Sequence, residues 1–355
     1  MDMLEILNHA VQNKASDIHI VPLRKPIIRL SGRLIELEQY PVLSSDDSKN
    51  LIYSILYDEQ KQKFEENWEL DCSFDVPNLS RFRVNVLIQK NGIGAVLRII
   101  SSTIPTSEEL TLPKAVVGLA DIPRGLVLVT GPTGSGKSST LACLIDIINQ
   151  KRQEHILTIE DPIEFVYETK NCVITQREIG MHSKNFCNSL RASLREDPDV
   201  ILIGEMRDLE TIQAAITLAE TGHLVFGTLH TTDAPQTIDR IVDVFPPYQQ
   251  TQVRMQLSVS LQAVICQQLL PKLQGKGRIA VREIMMVTTA IANLIREGKT
   301  HQIYSAIDMG VKYGMISMDK ALIDLANKAE VSKEMALMKA NNPQVVAQQI
   351  GIKGF

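Results

Sequence analysis

A glycine-rich segment near the middle of the chain has the residue types needed to hold a phosphate chain. Residues 131–138 read GPTGSGKS and fit the pattern G-x-x-x-x-G-K-[ST] at every position. The apolar stretch LVLVT precedes this segment and the helix-like stretch SSTLACLIDIINQ continues from it, which is the context that the pattern needs. Glycines let backbone N–H groups surround a phosphate, and the helix N-terminus adds positive charge. We therefore predict a P-loop that binds a nucleoside triphosphate.

The polar residues of this loop have separate expected roles. Lys137 should reach the β- and γ-phosphates, and the hydroxyl of Ser138 should bind Mg²⁺. The residues of the loop that we predict to contact nucleotide are Gly131, Thr133, Gly134, Ser135, Gly136, Lys137, Ser138 and Ser139.

Hydrolysis requires carboxylates in addition to a phosphate site, for the metal and for the attacking water. Glu160, Asp161 and Glu164 follow one apolar stretch, and Glu205 follows the next, DVILIG. Ligands of α/β sheets bind at the carboxyl ends of strands, where these side chains should lie. Either group alone is equally compatible with a solvated rim, but the two together behind a P-loop favour a catalytic site.

Two histidines flank the apolar stretch LVFGTL. Strand alternation counted from His223 would put His230 on the opposite face, unless a bulge or the end of the strand reorients it. The residues alone leave His223 open between a structural role and a nucleotide contact. His230, which follows the apolar stretch, is the better candidate for a polar contact to phosphate.

The elements that would position these residues form two regions. From about residue 114, apolar strands (LVLVT, HILTI, DVILIG, LVFGTL) alternate with helical stretches, which predicts a parallel sheet buried on both faces. The last seventy or so residues of the chain are mostly helical in pattern. Residues 101–113 carry polar and proline punctuation and are predicted to be a linker.

Residues 1–100 are predicted to form a smaller α+β domain. We expect a helix at Leu4–Lys14, a strand at Asp17–Val21, a hairpin turning at Ser31-Gly32, and a helix from about Ser44 to about Glu66.

A second hairpin in this domain carries arginines. Residues 81–88 alternate strictly, and Asn91-Gly92 predicts a tight turn into a return strand at 94–100. One face should hold Phe82, Val84, Val86 and Ile88, and the other Arg81, Arg83 and Asn85, with Arg98 on the return strand.

The bulk composition excludes several classes of protein. The 355 residues are 44% hydrophobic and 22% charged, as in an ordinary globular protein with room for two domains. A net charge of −4 argues against a nucleic-acid-binding face. The five cysteines are scattered and predict reduced thiols rather than a disulfide framework. No signal peptide and no apolar run long enough to span a bilayer is evident, so we expect a cytoplasmic protein.

In this order, the motifs resemble those of the ATPases that drive type II and type IV secretion and type IV pili. Residues 131–138 match the Walker A motif of that family, EDPIEF (160–165) its aspartate box, LREDPDVILIGEMRD (194–208) its atypical Walker B, and TGHLVFGTLHT (221–231) its histidine box. The resemblance extends through nearly the whole chain. It implies a RecA-like P-loop NTPase domain, residues 114–355, preceded by a PAS-like domain, residues 1–100.

Within the family, the chain is most similar to the branch that retracts type IV pili. We expect no extra N-terminal domain and no tetracysteine zinc insertion, and AIANLIREGKTHQIYSAI (290–307) resembles the C-terminal motif of that branch. Ala292 stands where that motif normally has arginine. ATP turnover should not depend on this position, but coupling to retraction can, so an accessory motor is an alternative.

The resemblance also implies roles for individual residues. Glu164 would be the general base, supported by Glu160 and Asp161, while Glu205 would hold Mg²⁺ through water. His230 and His223 would sense the γ-phosphate. Arg83 and Arg98 would reach nucleotide, often across a subunit interface, and Arg81 and Arg124 are weaker candidates.

The implied assembly is a homohexamer that uses ATP and Mg²⁺, docked through an inner-membrane platform protein at the cytoplasmic face of the membrane. Three alternatives remain. They are a pilus-extension or secretion ATPase of the same family, a RecA-like nucleic-acid motor, which the acidic balance disfavours, and a nucleotide-dependent switch that scarcely hydrolyses.

Overall fold

The computed structural model of the chain divides into two compact units. The residues that it describes are 1–352, apart from 31, 78, 101–102 and 275–276. One unit comprises residues 1–103 and 164–166, and the other comprises 104–163 and 167–355. The predicted turn at Ser31-Gly32 thus lies partly outside the described residues.

Among its described residues, the first unit has three helices and one antiparallel sheet with the strand order β3-β2-β1-β6-β5-β4. Its elements are α1 (Met3–Gln12), β1 (Asp17–Ile20), β2 (Ile27–Leu30), β3 (Arg33–Glu36), α2 (Ser45–Tyr53), α3 (Asp58–Asn67), β4 (Glu69–Val76), β5 (Ser80–Gln89) and β6 (Gly92–Ile100).

The helix predicted from about Ser44 to Glu66 is two helices. Ser44 caps α2 in a capping box with Asp47, as its sequence suggests. The chain then leaves the helix after Tyr53, and the side chain of Gln60 accepts the backbone N–H of Tyr57 to start α3. A second cap inside an apparently continuous pattern therefore divides it.

Alternation along β5 confirms part of the predicted pattern. Phe82, Val84 and Val86 are completely buried, but Ile88 is 48% exposed because it lies at the end of the hairpin, beyond the core. Arg81, expected on the polar face, is 8% exposed and donates hydrogen bonds to Asp75 and Ser73 on β4.

The hairpin between β5 and β6 forms one residue earlier than predicted. Gln89 pairs with Gly92, so that Lys90 and Asn91 make the turn. Gly92 has φ +124°, and a Cβ there would lie 2.2 Å from Oγ of Ser45 at the start of α2. Glycine is thus required at this position by the backbone conformation and by the approach of the helix.

The second unit is built on a seven-stranded sheet with the order β13-β12-β7-β11-β10-β8-β9. Its strands are β7 (Gly125–Thr130), β8 (His155–Glu160), β9 (Val173–Glu178), β10 (Val200–Ile203), β11 (Leu224–Leu229), β12 (Leu261–Pro271) and β13 (Arg278–Met286). Its helices are α4 (Lys114–Val117), α5 (Lys137–Lys151), α6 (Phe186–Ser193), α7 (Leu209–Glu220), α8 (Ala234–Asp243), α9 (Pro247–Ser260), α10 (Thr289–Arg296), α11 (Ile303–Met309), α12 (Met318–Asn327), α13 (Lys333–Lys339) and α14 (Pro343–Gln349), with short 3₁₀ turns at Gly118–Asp121, Thr300–Gln302 and Val311–Tyr313.

The four strands predicted from apolar stretches, β7, β8, β10 and β11, are parallel and almost fully buried, as expected. Strands β9, β12 and β13 were not predicted, and β13 runs antiparallel to β12. The helical end of the chain is confirmed by α10–α14. Across the described part of the chain, no helix combines the length and apolarity needed to cross a bilayer.

Candidate nucleotide-binding and catalytic site

The P-loop follows β7 and leads directly into α5, which begins at Lys137. Gly131, Gly134 and Gly136 have φ values of +137°, +78° and +90°, which L side chains rarely adopt. A Cβ on Gly131 would lie 2.2 Å from the carbonyl oxygen of Gln267 on β12. The glycines therefore let the loop turn tightly against the neighbouring strand, with Thr133 and Gly134 exposed at its tip.

Lys137, Ser138 and Ser139 place polar side chains where the loop joins α5. The Lys137 Nζ donates to the carbonyl oxygens of Gly131 and Pro132 at 2.8 and 3.2 Å, which holds the ammonium group across the loop. Ser138 and Ser139 lie in the first turn of α5 and are half-buried. Their position at the helix N-terminus suits groups that contact phosphate and its metal.

The predicted acidic residues of the second unit meet at the carboxyl edge of its sheet. Glu160 ends β8, Glu205 follows β10, and His230 follows β11, all at the edge where β7 delivers the P-loop. Glu160 is 5% exposed and accepts a hydrogen bond from Thr158 at 2.8 Å. A Cβ on Gly204 would lie 3.1 Å from Cα of Glu160, so the glycine before Glu205 lets the two strand ends approach.

Glu205 lies at the centre of a charged cluster. His230 Nε2 is 2.9 Å from its Oε1, and Arg207 contacts both oxygens, with Nη2 2.7 Å from Oε2 and Nε 2.7 Å from Oε1. Partial burial by itself raises the pKa of Glu205, but the hydrogen bonds and charge of Arg207, together with His230, outweigh it and lower the pKa. Glu205 is therefore held as a carboxylate, the form that a divalent cation binds.

Two residues at this edge were missed by sequence reasoning. Arg207 is one. It lies two residues after Glu205 in GEMRD, and this short spacing could have indicated that it contacts Glu205. Glu178, at the end of β9, is the other. It is 3% exposed, pairs in register with Glu160, and accepts the backbone N–H of Ile163 at 3.0 Å. The strand that carries Glu178 was not predicted, so nothing indicated that it would lie beside Glu160.

The structure does not bring His223 or Arg124 to the P-loop of their own chain. Both precede parallel strands and lie at the amino edge of the sheet, where Gly125 donates its N–H to the carbonyl of His223. The His223 Nδ1 is 2.9 Å from the carbonyl oxygen of Leu218, at the end of α7. The six residues of β11 separate His223 from His230, about 20 Å at the usual rise per residue.

Glu164 has a different setting from the other predicted carboxylates. It is exposed and lies in the segment of residues 164–166, which belongs to the first compact unit, whereas the P-loop belongs to the second. Its assignment as general base stays a prediction.

Arg83 and Arg98 are direct cross-strand partners on β5 and β6. Arg98 also pairs in register with Asp17 on β1, and its Nε lies 3.0 Å from Oδ1 of that residue. Nη2 of Arg83 lies 3.7 Å from Oδ2 of Asp71. The predicted proximity of the two arginines on adjacent strands is therefore observed, and both point to the face of the sheet opposite Phe82 and Val84.

Asp17 balances this pair of like charges. It is 7% exposed, accepts a hydrogen bond from Ser16 at 2.8 Å, and lies 3.6 Å from Arg29 on β2. Burial by itself raises the pKa of Asp17, but the hydrogen bonds from Ser16 and Arg98 and the charge of Arg29 lower it. The carboxylate holds Nε of Arg98, while the Arg98 side chain remains 65% exposed.

The residues at the carboxyl edge fit a nucleotide with Mg²⁺. The loop supplies glycines at positive φ and a lysine ammonium group, and Ser138 and Glu205 carry oxygen atoms of the kind that Mg²⁺ binds. Among the described residues, no group of three His, Cys, Asp or Glu side chains is arranged to hold a metal by itself.

Comparison with known proteins agrees with this geometry. The family model described as "Type II/IV secretion system protein" matches residues 2–276. The chain is 52% identical to the type IV pilus retraction ATPase PilT of Pseudomonas aeruginosa, over 97% of this chain and 99% of that protein. It is 50% identical to a twitching motility protein of Neisseria gonorrhoeae, over 90% of this chain and 85% of the relative.

A solved structure has the same fold. The crystal structure of the pilus retraction motor PilT with bound ADP superposes with a TM-score of 0.92 at 46% identity, covering 98% of this chain and 99% of that one. The predicted fold class, a RecA-like ATPase domain preceded by a smaller α+β domain, is thereby confirmed, as is the resemblance on which it was based.

Proposed function

Since this chain belongs to the type II/IV secretion system protein family, we propose that it is an ATP-hydrolysing motor that retracts type IV pili and so drives twitching motility. One observation carries the proposal: a complete P-loop lies at the same sheet edge as Glu160, Glu205 and His230. The relatives named for retraction and twitching align along at least nine-tenths of the chain, which favours retraction over pilus extension or secretion.

The chemistry follows from the roles of the residues at that edge. The P-loop N–H groups and Lys137 bind the phosphate chain, and Ser138 and Glu205 would hold Mg²⁺. When bound, the metal neutralises charge on the β- and γ-phosphate oxygens. His230, already 2.9 Å from Glu205, places a second polar group beside the γ-phosphate and so links the phosphate state to the carboxylate.

Glu164 orients or deprotonates the attacking water in this proposal, and Glu160 and Asp161 support it. The buried carboxylate of Glu160 is fixed by Thr158, which suits a supporting role better than one that requires free access to water. Exposed Glu164 has that access.

Arg83 and Arg98 supply positive charge to nucleotide held by a neighbouring subunit. Arginine contributed across an interface can accelerate phosphoryl transfer by about 10³–10⁵. The neighbouring copies would form a homohexamer, and each hydrolysis event would release the arginine contacts and produce movement of a subunit.

The motor would act at the cytoplasmic face of the inner membrane, through a platform protein of the pilus machine. Membrane association is through this partner only, and no nucleic acid is involved. Ala292, in the first turns of α10, is half-buried and its N–H is bonded to the carbonyl of Thr288. It lies in the helix-rich C-terminal part, away from the P-loop in sequence, which leaves coupling rather than hydrolysis as the step that it affects.

The test is ATP turnover by the purified protein, with oligomer mass measured alongside, for wild type, Lys137→Ala and Glu164→Gln. A hydrolysing hexamer that both substitutions silence would support the motor and the assigned base. Turnover that survives Glu164→Gln moves the base to Glu205 or Glu160. An assembled wild-type hexamer without turnover favours a nucleotide switch.

A deletion strain separates retraction from extension. Loss of a retraction motor leaves pili that assemble but do not withdraw, so surface pili accumulate while twitching stops. Loss of an extension motor removes the pili. An accessory retraction motor would leave some twitching, and Ala292→Arg would then be the substitution to compare for gain of retraction force.

A further inference from the structure

A buried glutamine on β12 lies against the P-loop, although it belongs to none of the motifs that marked the site in the sequence. Gln267 is 1% exposed. The residue before it, Cys266, pairs with Thr130, the last residue of β7 before the loop. Strand β12 therefore places the Gln267 side chain where the chain leaves β7 and turns.

Both ends of the Gln267 amide are used. Its Nε2 donates to the carbonyl oxygen of Ser135 at 2.9 Å, and its Oε1 accepts from Oγ1 of Thr140 at 3.0 Å. A carbonyl oxygen only accepts, so the nitrogen must face Ser135 and the oxygen must face Thr140. Thr140 is itself buried in α5. The amide thus joins the loop, the following helix and β12 in one defined orientation.

This contact fixes the direction of a phosphate-binding group. The peptide bond between Ser135 and Gly136 is planar and trans, so its carbonyl and its N–H point in opposite directions. Because the Ser135 carbonyl is held towards β12, the N–H of Gly136 points away from β12. Gly136 is the residue before Lys137 and caps α5, so this N–H is one of those that surround a bound phosphate.

The backbone of the same residue restrains the start of the loop. A Cβ on Gly131 would lie 2.2 Å from the Gln267 carbonyl oxygen, and a Cβ on Gly136 would lie 3.2 Å from its Nε2. One residue of β12 therefore contacts both the first and the last glycine of the P-loop. An apolar residue would fill the same space but would leave the Ser135 carbonyl and the Thr140 hydroxyl without this partner.

We propose that Gln267 is a positioning residue of the nucleotide site, whose amide orients the Gly136 N–H towards the diphosphate of the bound nucleotide. The inference rests on the proposed function, because it takes ATP or ADP as the ligand. It adds a residue on a strand outside the Walker motifs, acting through the backbone of the loop rather than by touching nucleotide.

The experiment measures ADP and adenosine affinity of the full chain by calorimetry. In Gln267→Glu the amide donor is replaced by a carboxylate oxygen, which cannot donate to Ser135. ADP should bind about tenfold more weakly, while adenosine, which lacks phosphates, should bind with unchanged affinity. Thr140→Val, which keeps the shape but frees the amide to rotate, should weaken ADP about threefold. The control, Gln268→Glu, alters the neighbouring residue on the opposite face of β12 and should leave ADP affinity unchanged.

Two results for Gln267→Glu would overturn the proposal. One is unchanged ADP affinity. The other is an equal loss of ADP and adenosine affinity, which would indicate a general effect on the fold. If Gln267→Glu does not fold, Thr140→Val decides, and unchanged ADP affinity in that folded variant would overturn the proposal. Wild-type protein that binds no ADP would remove this inference and the proposed function together, whereas wild-type binding with insensitive variants would remove only the inference.

Discussion

The two compact units organise charge in opposite ways. In the second unit, the P-loop, Glu160, Glu205 and His230 lie at or beyond the ends of parallel strands, at one edge of the sheet. In the first unit, Asp17, Arg98 and Arg83 lie within antiparallel strands and form a transverse row fixed by register. Side chains at strand ends are directed by loops, whereas side chains within strands are directed by pairing.

This difference has an energetic consequence. Arg83 and Arg98 lie directly opposite each other and repel. Asp17, which lies between Arg98 and Arg29, offsets this positive charge, so the members of the row depend on one another. At the edge, Glu205 is held by the local contacts of Arg207 and His230. We therefore expect the row to respond to substitution as a unit and the edge to respond residue by residue.

The largest effect is expected from removing the arginine row. Arg83→Ala combined with Arg98→Ala should lower ATP turnover by about 10³-fold, because both guanidinium groups of the row are lost. Steady-state kinetics of the assembled protein measures it. Arg24→Ala, which breaks an exposed ion pair with Glu36 in the same unit, is the matched control and should be neutral. A double variant that retains a tenth of the wild-type rate would show that the row only supports the fold.

At the edge, Glu205→Gln should lower kcat by about 10²-fold and increase the Mg²⁺ concentration needed for half-maximal turnover, since a carboxylate ligand becomes a neutral amide. A magnesium titration of turnover tests both effects. Glu210→Gln, on the exposed surface of α7, serves as the control. An unaltered magnesium dependence in Glu205→Gln would contradict the assignment of this residue to the metal.

Substituting the two histidines in turn compares the carboxyl edge of the sheet, where His230 lies, with its amino edge, where His223 lies. His230→Ala should lower turnover about tenfold, because it loses a polar contact beside Glu205. His223→Ala should lower turnover less than twofold, because His223 lies at the amino edge and contacts the end of α7. Parallel turnover assays suffice. Equal loss in both would mean that His223 reaches nucleotide by a route that this subunit alone does not provide.

The last prediction concerns protein stability rather than turnover, and it compares two buried carboxylates, one in each unit. Burial raises the pKa of Glu283 to about 7, although the N–H groups of Ala234 and Met318 bind it, whereas the pKa of Asp17 is lowered. An acid with a raised folded pKa holds its proton more tightly when folded, so its contribution to stability falls as the pH rises from about 4.5 to 7. Across this whole pH interval, the free energy of unfolding falls by about 3 kcal/mol.

Thermal unfolding of wild type and Glu283→Gln at pH 5 and pH 8 tests this sign. The substitution leaves one of the two backbone N–H groups facing an amide nitrogen, so its stability should be lower at both pH values. The informative quantity is the slope: wild type should lose more stability between pH 5 and pH 8 than the variant. Equal slopes would show that Glu283 does not titrate in this range.

Much of the site was predictable because its residues are close together in sequence. The P-loop, its flanking strand and helix, and the carboxylates after β8 and β10 follow from local patterns and from the rule that parallel strands present ligands at their carboxyl ends. The boundaries were less accurate. The helix predicted from about Ser44 to Glu66 is interrupted by the cap at Tyr57, and the hairpin turn forms at Lys90 and Asn91 because Gly92 already pairs in the strand.

Sequence alone determined that this chain has a P-loop unit, that four apolar strands form the middle of its sheet, and which residues follow those strands, because each of these depends on short-range periodicity and on residue type. Only the tertiary structure decided that Glu178 pairs with Glu160, that Gln267 holds the P-loop, and that Asp17 lies between Arg98 and Arg29. These contacts join residues far apart in the chain, and they depend on the order in which strands assemble and on their register, neither of which a local pattern contains.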